Sequence, residues 1–344
     1  MNYQEICDRF ANVLCESDEA NTVTGGLKND CFKYTEDDQT VFVKKYNHDT
    51  KYAKHLSSTR CESEFAMCSF LKDNDCAVAR PLYCDSERQI NIFEYIEGVN
   101  LFSDPQLGTK YAKRIIEELV KIHSIPVLYD IGGVTFYPSK KEDIINYLNE
   151  AVGFLGEIYA KKLMLIDFCE LFERIASAIM VQPQVFGNTQ MHNGNIMITR
   201  NDSIIFVDFE KAPPHFPQLD LLTFLNARNW SVDEDIEIIN YYLEKRGCSN
   251  SKQFYEILDL LFVIDNIRAI KKIKKNEKQV KVLWTESGGE RTKVYVPSDS
   301  TKGLEWNRTR NESVEKRLNN TFEKVYSENL LASELRKIIK DIVF

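Results

Sequence analysis

Apolar positions recur at helical spacing from Tyr3 to Cys15, with Ile6, Phe10, Val13 and Leu14 on one face, so the chain opens on a short helix. From Val23-Thr24-Gly25-Gly26 the pattern changes to strand and turn. Cys31–Tyr34 and Thr40–Tyr46 read as strands, with Asp37-Asp38 as the turn between them. Arg60–Leu71 regains helical periodicity through Phe65, Cys68 and Leu71, and Ile90–Tyr95 is a further strand ending near Gly98. Helices are then predicted over Tyr111–His123, Lys141–Glu157 and Leu163–Met180, and after two more strands over Leu219–Ala227, Asp233–Lys245 and Ser251–Lys275. Asn276–Thr309 is polar and weakly patterned, a long loop or hairpin, and Glu312–Phe344 returns to helix. Strands with one helix, then a mostly helical remainder, predict an α+β chain: a small β-rich N-terminal lobe over residues 1–97 and a larger α-helical lobe over 98–344.

Composition narrows the classes. The chain has 344 residues, 43% hydrophobic and 28% charged, which suits one large core or two smaller ones. A net charge of −8 argues against general binding to nucleic acid or to an anionic membrane. The nine cysteines never form a C-x-x-C pair, so a zinc ribbon or thioredoxin motif is excluded. With no secretory pattern at Met1–Leu14 and no membrane-length apolar run, the expectation is a cytoplasmic protein with reduced thiols.

The densest chemistry lies in two neighbouring strands. Val185–Ile198 holds a polar loop with His192-Asn193-Gly194-Asn195 at its end, and Ile204–Val207 delivers Asp208, followed by Phe209 and Glu210. A carboxylate emerging from a buried strand, with an amide oxygen from the preceding loop, is a natural oxygen-ligand pair for Mg²⁺. Asn195 and Asp208 are therefore the candidate metal ligands. Gly194 is expected to adopt a backbone conformation that side chains obstruct. His192 has no His or Cys companion at ligand spacing and reads as a brace for the loop rather than a zinc ligand.

In order along the chain, these segments resemble the aminoglycoside phosphotransferase/choline kinase superfamily, with its bilobal protein-kinase-like fold. Thr24-Gly25-Gly26-Leu27-Lys28-Asn29 resembles the family's phosphate turn, so Gly25 and Gly26 would line ATP. Val41-Phe42-Val43-Lys44 resembles the strand carrying the ATP lysine, Lys44, with Lys45 the fallback. Glu64 is similar to the helix glutamate that pairs with that lysine. Ile92–Gly98 resembles the hinge, implying adenine contacts from the backbone of Glu94 and Ile96. Leu119–His123 resembles a conserved helix end, and Asp220 a structural brace. The likeness runs from Val23 to Tyr242. It implies an ATP- and Mg²⁺-dependent phosphotransferase acting on a hydroxyl of a small molecule (an amine, a sugar, or an aminoglycoside- or choline-like acceptor).

One position departs from the pattern. The family loop reads His-Gly-Asp-x-His-x-Gly-Asn, and matching its end to His192-x-Gly194-Asn195 puts Gln190 on the catalytic Asp. A rival register puts Asn188 there, also an amide. An amide can hydrogen-bond an acceptor hydroxyl but cannot take its proton. General bases contribute about 10²–10⁴-fold, so turnover is slowed rather than abolished if positioning and the metal dominate. Glu210 is the nearest other carboxylate, although choline kinases often carry it too. Three readings stay open: an active but atypical small-molecule kinase, a nucleotide-binding pseudokinase with a regulatory or scaffolding role, or nucleotidyl transfer on the same fold.

Overall fold

The computed structural model describes residues 1–11, 21–22, 29–46, 58–101, 103–146, 148–149, 168–188, 191–210, 214–228, 230–248, 250–275, 281–287, 290–296, 324–327 and 330–343. Gly25, Gly26 and Gln190 lie outside the described residues, as do parts of the helices expected over Lys141–Glu157 and Leu163–Met180. The chain divides into two compact units, Met1–Pro138 with Gln184–Cys248, and Ser139–Pro183 with Ser249–Phe344.

The first unit opens with helix α1 (Tyr3–Ala11), then β1 (Asn21–Thr22), β2 (Asp30–Glu36), β3 (Gln39–Lys45), helix α2 (Arg60–Asp73), β4 (Pro81–Asp85) and β5 (Ile90–Glu94). These strands form an antiparallel sheet in the order β1-β2-β3-β5-β4. The β2–β3 hairpin closes between Glu36 and Gln39 through Asp37 and Asp38, both left-handed with φ of 47° and 62°. That is the conformation of a two-residue type I′ loop, whose twist matches that of the strands. The helix α1 buries Ile6, Cys7 and Phe10 against Phe32, Val41, Val43, Ile90 and Ile92. Phe10 stacks on Phe32 at 4.8 Å between ring centroids. Each such side chain contributes roughly 1.5–3 kcal/mol on burial. Thr59 and Glu62 form a capping box at the start of α2, which fixes where that helix begins.

Past β5 the chain enters a second sheet. Strand β6 (Gly98–Asn100) pairs with β9 (Ile196–Thr199), which pairs with β10 (Ile204–Phe206). Gly98 permits this pairing, since a Cβ there would lie 2.3 Å from the Ile198 carbonyl oxygen. Between them come α3 (Pro105–Lys110), α4 (Ala112–Ser124) and a small hairpin of β7 (Asp130–Ile131) with β8 (Val134–Thr135). Helices Pro217–Asn226 and Val232–Arg246 complete the unit.

The second unit contains helices Phe168–Met180, Ser251–Lys275 and Leu330–Val343, and strands Lys281–Ser287 and Glu290–Val296. The polar stretch after residue 275 therefore includes a true antiparallel hairpin. The single helix expected over Glu312–Phe344 is interrupted, because residues 324–327 are irregular. There the Tyr326 N–H donates to Asp259 Oδ1 at 3.1 Å instead of to a helical carbonyl. Buried Asp259 also receives both arms of Arg336, at 2.8 and 2.5 Å. Among the described residues no helix is long and apolar enough to cross a membrane.

Candidate active site

Strand alternation sends the two adjacent lysines of β3 to opposite faces. Lys45 goes to the α1 side, where its Nζ donates to the Ala11 carbonyl at 2.7 Å. Lys44 goes to the other side, and its Nζ lies 2.7 Å from Glu64 Oε2, 2.6 Å from Asp208 Oδ1 and 3.4 Å from Glu210 Oε2. The Lys44 side chain is only 6% exposed. Burial alone would lower its pKa, but the carboxylates of Asp208, Glu64 and Glu210 outweigh that and hold the ammonium charged well above the usual range.

Each carboxylate has further partners. Glu64, on α2, accepts from the Tyr46 hydroxyl at Oε2 and from the Phe209 N–H at 3.0 Å. Burial raises the Glu64 pKa, with Lys44 opposing and Asp208 and Glu210 reinforcing the rise. Glu210 takes Arg60 Nη1 at 3.1 Å and the Asn29 amide at 2.5 Å. Three carboxylates thus share two cations, Lys44 and Arg60, an excess of one negative charge when all are ionised. Asp208 is the accessible member, with its side chain 32% exposed.

The backbone around Asp208 is held from several directions. The Val207 N–H donates to the Asn195 carbonyl at 3.0 Å, and Asn188 Nδ2 donates to the Val207 carbonyl at 2.8 Å. With Phe209 fixed to Glu64 on the other side, Asp208 turns through a left-handed conformation, φ 67°. Aspartate enters this region more readily than most residues, as Asp37 and Asp38 do in their hairpin, and at Asp208 the flanking bonds hold it there. Asn195 is buried at the end of a short 3-10 turn over Asn193–Asn195. His192 caps that turn, its Nδ1 accepting the Gly194 N–H at 3.1 Å. Gly194 is not left-handed. Its constraint is space, because a Cβ would lie 3.2 Å from the His192 ring.

A second buried cluster supports the loop. Asp220 Oδ2 accepts from the Asn188 N–H at 3.2 Å, from His123 Nε2 at 3.1 Å and from His215 Nε2 at 3.2 Å. A carboxylate only accepts, so both imidazoles present Nε2–H, and His123 Nδ1 is left to accept the Tyr242 hydroxyl at 2.8 Å. Burial would raise the Asp220 pKa, but the two histidines hold it far below the usual carboxylate range. Gly187 fits beside this cluster only because it has no Cβ, which would lie 2.0 Å from Asp220 Oδ2.

At the hinge, the Glu94 N–H bonds the Arg80 carbonyl at 2.9 Å, and the Glu94 side chain accepts the Arg80 N–H at 2.8 Å. Ile96 lies in the extended stretch between β5 and β6. The structure thus gathers Lys44, Glu64 and Asp208 about one point, with the Asn195 backbone bonded beside Asp208 at Val207, and with Glu94 and Ile96 at the connection between the two sheets. Sequence reasoning passed over Arg60 and Tyr46, whose signal is proximity to Glu64 and Glu210 in space, and had Asn29 only as the last residue of the phosphate turn, without its bond to Glu210. The carboxylate oxygens of Glu64, Asp208 and Glu210 lie within 4.8 Å of one another, gathered about the Lys44 ammonium.

Residues 19–256 match the model of the phosphotransferase enzyme family (APH), and the chain belongs to that family. Its fold is that of the solved kinases it resembles. The streptomycin–ATP–APH(2″)-IIa ternary complex is 17% identical with a TM-score of 0.53, over 79% of this chain and 91% of that one. Choline kinase LicA from Streptococcus pneumoniae is 16% identical, TM-score 0.52, over 91% and 97%. A choline/ethanolamine kinase family protein from Mesorhizobium loti is 14% identical, TM-score 0.54, over 98% and 100%. No curated protein matches the chain.

Proposed function

We propose that the chain is an ATP-dependent phosphotransferase acting on a hydroxyl of a small molecule, with its nucleotide site in a lobe over residues 1–97 and its acceptor site in a lobe over 98–344. The observation that carries this reading is the position of Lys44 Nζ, 2.7 Å from Glu64 and 2.6 Å from Asp208. It joins a phosphate-binding cation to a strand-end carboxylate beside the Asn195 turn. The lobe boundary is supported by pairing, since β6 joins β9 instead of the five-stranded sheet.

Asp208 and Asn195 would hold Mg²⁺, a reading supported by the oxygen-donor chemistry of the two side chains, by the partial exposure of Asp208 and by the excess negative charge around it. When bound, the ion would neutralise charge shifting between phosphate oxygens during transfer. Lys44 binds the nucleotide phosphates, and Glu64 fixes the lysine's position. The backbone at Glu94 and Ile96 would meet adenine, and Gly25 and Gly26, by their likeness to the family's phosphate turn, would line the phosphates. Gln190 orients the acceptor hydroxyl by a hydrogen bond without taking its proton. Gln190 also favours a second reading, a pseudokinase that binds nucleotide without turnover.

Calorimetry with ATP, with and without Mg²⁺, tests the site. Metal-dependent binding that Asp208→Ala largely removes is the expected result, and equal affinity in all four titrations would sink the metal assignment. An acceptor screen then separates the two readings. For a slow kinase, Gln190→Asp raises turnover by restoring a base, by about 10²–10⁴-fold. Background activity in both proteins, with nucleotide binding intact, selects the pseudokinase.

A further inference from the structure

Behind the Glu64 helix two thiols face each other. Cys61, the second residue of α2, and Cys84, in β4, have their sulfurs 3.6 Å apart. Cys61 is fully buried and Cys84 is partly exposed. Cys84 lines a groove of about 530 Å³ between the back of α2 and the β7–β8 hairpin, beside Phe65, Ala66, Phe70 and Val134. One sulfur can therefore be reached from solvent, and the other waits behind it. We propose that Cys84 and Cys61 are a reversible oxidation site, Cys84 reacting with a hydroperoxide and Cys61 resolving the product as a disulfide.

The chemistry balances. The Cys84 thiolate attacks one oxygen of hydrogen peroxide, the O–O bond breaks as the sulfur loses two electrons, and the leaving hydroxide takes the proton that the thiol gave up, so a sulfenic acid and water result. Cys61 sulfur then attacks Cys84 sulfur, the S–O bond breaks, and the thiol proton leaves with hydroxide as a second water. A disulfide needs the sulfurs about 2.0 Å apart, so closure requires a movement of roughly 1.6 Å. The roles follow from access. Cys84 faces the groove, whereas Cys61 is buried with its one S–H directed at Asn91 Oδ1. The partly exposed thiol is thus the one a hydroperoxide meets first.

The pair is wired to the site on the other face of α2. Cys61 Sγ lies 3.1 Å from Asn91 Oδ1, and Asn91 Nδ2 donates to the Cys61 carbonyl at 2.8 Å and to the Tyr46 hydroxyl at 2.9 Å. Tyr46 in turn bonds Glu64. Disulfide formation removes the S–H from this network and ties α2 to β4. The inference does not rest on the phosphotransfer reading, since it concerns the two thiols themselves.

The test is peptide mass mapping of the full reduced chain after graded hydrogen peroxide and thiol alkylation. A Cys61–Cys84 linked peptide pair that dithiothreitol reverses is the expected result. Cys61→Ser should lose the link and accumulate Cys84 sulfenic acid that dimedone traps. Cys84→Ser should leave Cys61 a free thiol under the same treatment. Peroxide that oxidises exposed Cys248 while Cys61 and Cys84 both remain thiols would overturn the proposal, and so would a link from Cys84 to Cys7 in place of Cys61.

Discussion

Replacing Lys44 by methionine keeps most of the stem's volume and removes the one ammonium that three carboxylates share. Asp208 can turn toward water, its side chain being 32% exposed, and Glu210 keeps Arg60 at 3.1 Å and Asn29 at 2.5 Å. Glu64 has no such outlet, with its side chain 3% exposed and only the Tyr46 hydroxyl and the Phe209 N–H remaining. Stranding a buried charge in this way costs about 3–5 kcal/mol. Glu64→Gln alone removes a charge-assisted hydrogen bond of about 1.5–3 kcal/mol, since Asp208 and Glu210 still hold the lysine. The double variant strands no carboxylate, so its cost should fall below the sum by about 1–3 kcal/mol. Urea unfolding followed by circular dichroism and by tryptophan fluorescence reads this, using transitions that coincide and share one slope. The sign of the pH dependence is a second check. Losing Lys44 raises the already raised Glu64 pKa, so the folded variant gains a proton as pH falls and its deficit shrinks from pH 7.5 to 5. Additivity within about 0.5 kcal/mol, or a deficit that grows on acidification, would refute the lysine-centred cluster.

Lys44→Ala should weaken ATP binding by at least about tenfold, roughly one charged hydrogen bond, whereas Lys45→Ala leaves the calorimetric affinity unchanged; the reverse order would contradict the pairing with Glu64. Gly187→Ala places a Cβ 2.0 Å from Asp220 Oδ2 and 2.5 Å from His215 Cε1, and should cost about 3 kcal/mol in denaturant unfolding. Burial lowers the His123 pKa, so the unfolded chain binds a proton there first and stability falls as pH drops below about 6.5, at up to ~1.4 kcal/mol per pH unit. His123→Gln should flatten that slope between pH 7.5 and 5 in thermal unfolding, and an unchanged slope would refute the lowered pKa, since it means His123 binds its proton alike in the folded and unfolded chain.

Strong periodicity made the long elements legible. The helices Tyr3–Ala11, Arg60–Asp73 and Ala112–Ser124, and strands Asp30–Glu36 and Gln39–Lys45, lie within a few residues of the limits their apolar spacing indicates. Short strands were not legible. Pro81–Asp85 starts on a proline and carries one bulge, and Gly98–Asn100 has three residues whose pairing depends on a missing side chain at Gly98. Too few positions alternate there for a pattern to show, and the partner strand supplies the order. The same divide runs through the site. Lys44, Glu64, Asn195 and Asp208 carry local motifs, each at the end or on the face of a regular element. Arg60 and Tyr46 carry none, because what selects them is a carboxylate from a segment distant in sequence, and the phosphate-turn motif that ends on Asn29 gives no hint of its bond to Glu210.

Stability alone is a weak reason for this cluster. Gathering three carboxylates around one buried lysine costs desolvation that attraction roughly offsets, and well-packed apolar residues of the same volume often serve a core better. The arrangement also forces Asp208 into a left-handed backbone, a further cost of about 1–3 kcal/mol. Yet the side chains that hold Lys44 are themselves held: Glu64 by Tyr46 and Phe209, Glu210 by Arg60 and Asn29. Such outer support fixes the position of a charge for an incoming group and adds little that a hydrophobic core would need. Under the proposed function, such a site would receive an anion and a cation together. Binding would then rest on the Lys44 cluster, and turnover on whether an amide at Gln190 suffices where a base would serve.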